Sequence, residues 1–137
     1  MRRYGWVALA LVFFMLAGVP AARAEKRIAL LIGNQAYNPR VGSLKNPHTD
    51  VEIVGASLKL LGFEVTTLKD ADYRAMDVAI KRFVADVRTK GKDAISFFYY
   101  SGHGAANPDT QINYLIPVDV TDPNDATFGT SHSSRTI

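Results

Sequence analysis

The sequence predicts an α/β fold built on a parallel sheet flanked by helices, and three observations carry that expectation. Short β-favouring runs alternate with two longer segments of helical periodicity, in the order strand, helix, strand, helix, strand. Glycines stand where each helical segment stops. The first strand is apolar throughout, as a strand covered on both faces of a parallel sheet must be. Such an order implies right-handed βαβ units.

Arg27-Ile-Ala-Leu-Leu-Ile-Gly33 is the first strand, and Asn34 to Ser43 follows as a polar loop. Asn46-Pro47 supplies a helix start, with asparagine as N-cap and proline at a position whose N–H is unpaired anyway. Val51, Val54, Leu58 and Leu61 then recur at helical spacing until Gly62. Phe63 to Leu68 is a second strand. Asp72 is expected to cap a second helix whose apolar face is Met76, Ile80, Phe83, Val84 and Val87, ended by Gly91. Asp93 to Tyr100 is β-branched and aromatic, as expected of a central strand, and Ser101-Gly-His-Gly is the loop at its carboxyl end. Asn113 to Val118 is a short fourth strand.

The chain of 137 residues has room for one domain, and 47% hydrophobic with 21% charged residues is the balance of a folding globular protein. Residues 1–24 have the features of a signal peptide: basic Arg2 and Arg3, an apolar run from Val7 to Ala17, and Ala22-Arg-Ala24 as a small-x-small cleavage site. That run falls short of the roughly 20 residues that span a bilayer, so no stable membrane span is expected after cleavage, and the protein is expected to be exported, periplasmic or extracellular. Residues 25–120 then form the domain, and 121–137 an irregular tail.

The net charge of +3 belongs to the leader. Removing Arg2, Arg3 and Arg23 takes the basic count from 16 to 13, which equals the 13 acidic residues. A neutral domain has no basic stripe for phosphate backbones, so nucleic acid is not expected as a partner. With no cysteine, disulfides are excluded too. No pair of histidines or carboxylates has metal-ligand spacing and no phosphate-cradling glycine loop is present, so neither a metal nor another cofactor is expected.

Parallel sheets bind ligands outside the carboxyl ends of their strands. His103 falls there, between Gly102 and Gly104, where little local packing holds a side chain and the backbone can approach a ligand closely. An imidazole so placed suits a general acid/base, since it titrates near neutrality. Asn34 and Tyr37 lie at the same edge, where they either line a cleft or belong simply to a polar loop. His48 reads as a solvated first-turn residue, and nothing is assigned to His132.

Five blocks in order carry a more specific resemblance: Ile28 to Asn34, Leu44-Lys-Asn-Pro-His-Thr-Asp50, Leu61-Gly-Phe-Glu-Val65, Phe98-Tyr-Tyr-Ser-Gly-His-Gly104, and Asn113-Tyr-Leu-Ile-Pro-Val-Asp119. Together they resemble the large-subunit (p20) region of bacterial caspase-like and metacaspase-like cysteine peptidases. The resemblance implies a three-layer, flavodoxin-like caspase fold, incomplete at the C-terminus, and protein or peptide substrates. His103 matches the catalytic histidine. Gly104 matches the glycine whose N–H helps form the oxyanion hole, although ordinary turn geometry also accounts for a glycine there. Asp50 matches the acid that binds arginine or lysine at P1 in the metacaspase branch, and is otherwise a helix N-terminal acid.

The family's nucleophile is absent. It is expected about 50 residues beyond the histidine, past Ile137, and Ser101 is too constrained to replace it. Without a thiolate no acyl-enzyme forms, so this polypeptide is expected to be proteolytically silent, and its last stretch, Gly129 to Ile137, to reflect truncation. A non-catalytic pseudo-peptidase module holding a protein partner is the second reading. A nucleotide binder on the same fold is the third, resting on fold analogy alone.

Overall fold

The computed structural model describes residues 25–107 and 111–122. The expected signal peptide lies outside the described residues, as does most of the expected tail. Three parallel strands form one sheet in the order β2-β1-β3: β1 (Arg27–Gly33), β2 (Glu64–Lys69) and β3 (Ile95–Ser101). β1 is central, and Ile28 to Ile32 are all buried, as the unbroken apolar run requires.

Successive β1 side chains face opposite layers. On one face Ala29 and Leu31 pack with Val51 and Leu58 of α1 (Pro47–Leu60). On the other, Leu30 and Ile32 pack with Ala71 and with Met76 of α2 (Tyr73–Lys90). The result is helix, sheet, helix: the three-layer α/β fold expected. Burying one leucine or isoleucine fully stabilises by about 1.5–3 kcal/mol. Leu31 and Ile32 are completely shielded, so β1 anchors both cores.

Local signals act largely as expected. Asp72 Oδ1 accepts the Ala75 N–H at 2.7 Å, which caps α2, and Gly91 ends it at φ 89°. Gly62, at φ 80°, follows Leu61 at the end of α1. Asn46 departs from expectation: its backbone is already helical (φ −103°, ψ −21°) and its side chain makes no cap bond among the described residues. Pro47 at the first helical position sets the start instead. Gly33 is required by close approach, because a Cβ there would lie 2.6 Å from the Pro47 carbonyl oxygen.

The third and fourth strands need correction. β3 lies at the edge of the described sheet and is not central, and Ile95 and Phe97 are each 39% exposed. It also continues through Ser101, leaving only Gly102 and His103 between it and β4 (Gly104–Ala106). The fourth-strand segment is shorter than expected, β5 (Asn113–Leu115), and pairs antiparallel with β4 in a separate two-stranded sheet. Its last ladder bond runs from Ile116 N–H to the His103 carbonyl, and Pro117, which has no N–H, follows. This hairpin packs Tyr114 and Ile116 on Tyr37, Val41 and Leu44 of the loop after β1.

Candidate active site

The strand ends are in register, Gly33 opposite both Lys69 and Ser101, so the residues that follow them meet at one edge of the sheet. Those residues are Asn34, Asp70 and the Gly102-His103 pair. His103 is half-buried, and its Nε2 lies 2.8 Å from the Gly42 carbonyl oxygen. A carbonyl can only accept, so Nε2 carries the hydrogen and the neutral ring leaves its Nδ1 lone pair available as a base. Gly42 sits at φ 91°, a backbone geometry natural to glycine.

The Tyr37 ring meets the imidazole edge-on, centroids 4.7 Å apart. Its hydroxyl accepts the His103 N–H at 3.0 Å and donates to the Ile116 carbonyl at 2.9 Å. Tyr100 Oη stands 3.0 Å from Tyr37 Oη, 2.9 Å from the His103 carbonyl oxygen and 2.8 Å from that of Ile116. Burial pushes both hydroxyls up from the ordinary tyrosine value, and in Tyr100 the neighbouring Tyr37 adds to it. They therefore stay protonated donors at neutral pH.

Asp50 lies in the first turn of α1, and Ser101 at the end of β3 donates its hydroxyl to Asp50 Oδ2 at 2.7 Å. A half-buried carboxylate is thus tied to Ser101, the residue two before the histidine, at the same edge. Gly104, the first residue of β4, is exposed.

The family model described as the caspase domain matches residues 26–132. This chain belongs to the caspase-domain family. No curated protein matches it. Family membership accords with the parallel sheet, the two flanking helices and the histidine at the carboxyl end of β3. No cysteine occurs anywhere in the 137 residues.

Three residues play parts in this caspase domain that differ from their sequence reading. Asn34 is completely buried and lines no cleft. Its side chain accepts the Ala71 N–H at 2.9 Å and donates to the carbonyls of Ala71 and Ile116, tying β1 to the start of α2 and the end of the hairpin. Tyr37 likewise is core, and its hydroxyl acts on His103. His48 is half-buried and not fully solvated: its Nε2 is buried 2.9 Å from Asp70 Oδ2, out of line for a full hydrogen bond and with no other partner among the described residues.

Asp70 itself escaped the sequence reading, as did the roles of Gly42 and Tyr100. Asp70 stands at φ 50° and accepts the N–H groups of both Gln35 and Ala36 at 2.9 Å. Burial pushes its carboxyl up, but those two amides and His48 outweigh burial and hold it below the usual aspartate value. It thereby clamps the loop that carries Tyr37 and Gly42.

Proposed function

We propose that this chain is part of a caspase-like cysteine peptidase in which His103 is the general base, Gly104 N–H an oxyanion donor and Asp50 the acid that receives arginine or lysine at P1. The observation that carries the reading is the His103–Gly42 bond. It fixes the imidazole with Nε2–H occupied and Nδ1 left to take a proton from a nucleophile. In acyl transfer that nucleophile is a thiolate, which attacks the peptide carbonyl while the leaving amine takes a proton from the imidazolium. His103 can hold and return that proton, but no cysteine in this sequence supplies the thiol.

Ser101 supports the role of Asp50. Its hydroxyl fixes the carboxylate at the strand edge without neutralising it, leaving a charge for a guanidinium or ammonium to meet. Residues 1–24 support export, in keeping with a peptidase that acts on proteins outside the cytoplasm.

The missing cysteine favours one second reading, a non-catalytic module that uses the same edge to hold a protein segment. Calorimetric titration with peptides ending in arginine, norleucine and glutamate, beside a turnover assay on an arginyl-amide substrate, tests the first reading. The peptidase reading expects no turnover by this chain alone, and arginine-selective binding that Asp50→Ala removes. Equal binding of the arginine and glutamate peptides, or none of either, would overturn the assignment of Asp50. In a form of the protein that supplies the family's cysteine, cleavage that persists in His103→Ala would overturn the mechanism.

A further inference from the structure

We propose that Tyr37 and Tyr100 are positioning residues whose hydroxyls lock the peptide unit between His103 and Gly104, so that the Gly104 N–H is held as an anion donor. The inference rests on the peptidase reading above.

A trans peptide unit is planar, and its C=O and N–H point in opposite directions. Fixing the carbonyl of His103 therefore aims the N–H of Gly104. Two donors fix that carbonyl: Ile116 N–H at 3.0 Å from the β5 side, and Tyr100 Oη at 2.9 Å. The ladder bond from Ile116 makes Gly104 a non-hydrogen-bonded position opposite Leu115, so its N–H is turned away from β5. Tyr37 completes the lock from the preceding peptide by accepting the His103 N–H at 3.0 Å. Each hydroxyl has one proton, and in the lock that of Tyr37 goes to Ile116 O and that of Tyr100 to His103 O, with Tyr100 Oη also standing 2.8 Å from Ile116 O.

The space for both hydroxyls exists because residue 102 is glycine. A Cβ there would lie 2.4 Å from Tyr100 Oη and 2.8 Å from Tyr37 Oη. The two rings thus reach beneath the Gly102-His103 connection from β3 and from the loop after β1, and touch main-chain atoms on both sides of the histidine. Neither ring is assigned a direct contact with substrate. Each acts through the backbone that it holds.

The test uses the ¹⁵N-labelled chain, titrated with one peptide bearing either a C-terminal arginine carboxylate or its carboxamide. The carboxylate presents the anion that an oxyanion donor selects, whereas loss of structure would weaken both ligands alike. The wild type is expected to prefer the carboxylate and to shift its Gly104 amide resonance on binding. Tyr100→Phe is expected to cut that preference roughly three- to tenfold, the worth of about one hydrogen bond, with carboxamide affinity retained. Tyr37→Phe removes the acceptor of the His103 N–H together with the bonds of that hydroxyl to Ile116 O and Tyr100 Oη, and is expected to do the same, which keeps the test open if Tyr100→Phe fails to fold. Unchanged preference and an unchanged Gly104 shift in both variants would overturn the proposal while leaving the peptidase reading intact. Binding of neither peptide to wild type would instead sink the peptidase reading. The lock itself is then judged on the free protein, where equal Gly104 amide shift and exchange rate in wild type and variants would overturn it.

Discussion

His103 Nε2 is bonded at 2.8 Å to the carbonyl of Gly42, a main-chain atom 61 residues earlier in the chain. The orientation of the imidazole thus depends on a loop and not on any side chain of its own strand. Replacing Gly42 with alanine adds no clash, since nothing lies within 4 Å of its Cβ direction, but it strains a backbone at φ 91° by about 1–2 kcal/mol. The loop is expected to relax and release the ring. Ring-nitrogen NMR should show a single Nε2–H tautomer in wild type and a mixture in Gly42→Ala. A mixture in wild type would contradict the orientation described.

The clamp at Asp70 makes the same loop sensitive to acid. The folded-state pKa of Asp70 is depressed, so its contribution is present above the unfolded value of about 3.9 and is lost as pH falls through the lower folded value. Asp70→Ala leaves the Gln35 and Ala36 amides without their acceptor and is expected to cost about 1–3 kcal/mol at pH 7. Asp70→Asn keeps one acceptor oxygen for both amides and should cost less. Urea unfolding at pH 7 and again at pH 3 should show the gap between wild type and Asp70→Ala narrowing in acid. A gap independent of pH would contradict the role given to the charge.

Much of this arrangement was legible in the sequence where periodicity and residue type carried the signal. The apolar run of β1, the Asp72 cap and the glycine stops each act through interactions a few residues apart. The position of β3 was not legible, because its aromatic character does not say how many neighbours it has. β4 escaped because Gly-Ala-Ala has no strand propensity of its own and pairs only when Asn113 to Leu115 folds back. The site divides in the same way. His103 stood out by its residue type and setting and Asp50 only through the family resemblance, whereas the Gly42 carbonyl is a backbone atom that any residue could supply. The His48–Asp70 contact follows from the register of β1 and β2, which no local pattern encodes. Asn34 looked like a cleft residue because buried asparagine and loop asparagine read alike until their partners are known.

Two glycines on opposite sides of the β1–α1 contact should respond with opposite signs. Gly33→Ala drives a Cβ to 2.6 Å from the Pro47 carbonyl oxygen, a backbone atom that yields only if α1 moves, at a cost of roughly 1–3 kcal/mol. Gly55, inside α1, has its nearest neighbour at 3.6 Å, Leu31 Cδ2, which is ordinary contact. Alanine there should therefore stabilise by about 0.5–1 kcal/mol through helix propensity. Denaturant midpoints measured on both variants check this, and a destabilised Gly55→Ala would mean that the α1–sheet contact is tighter than described.

The two glycines that flank His103 should also part ways, for reasons of space. At Gly102 an added Cβ would meet Tyr100 Oη at 2.4 Å, its Cζ at 2.7 Å and Tyr37 Oη at 2.8 Å. These are the rigid ends of aromatic rings held by several hydrogen bonds, so neither ring can swing aside without breaking them. Gly102→Ala is expected to destabilise by about 1–3 kcal/mol. Removing the Tyr100 hydroxyl in the same chain should recover only part of that, because the ring carbon still lies within 3 Å of the new methyl. At Gly104 the nearest atom to an added Cβ is the Tyr114 carbonyl oxygen at 3.5 Å, and φ lies outside the left-handed region, so Gly104→Ala should fall within about 0.5 kcal/mol of wild type. Thermal or urea unfolding of the three variants decides the matter. Equal losses at residues 102 and 104 would show that the hydroxyl pair does not fill the space beneath the histidine.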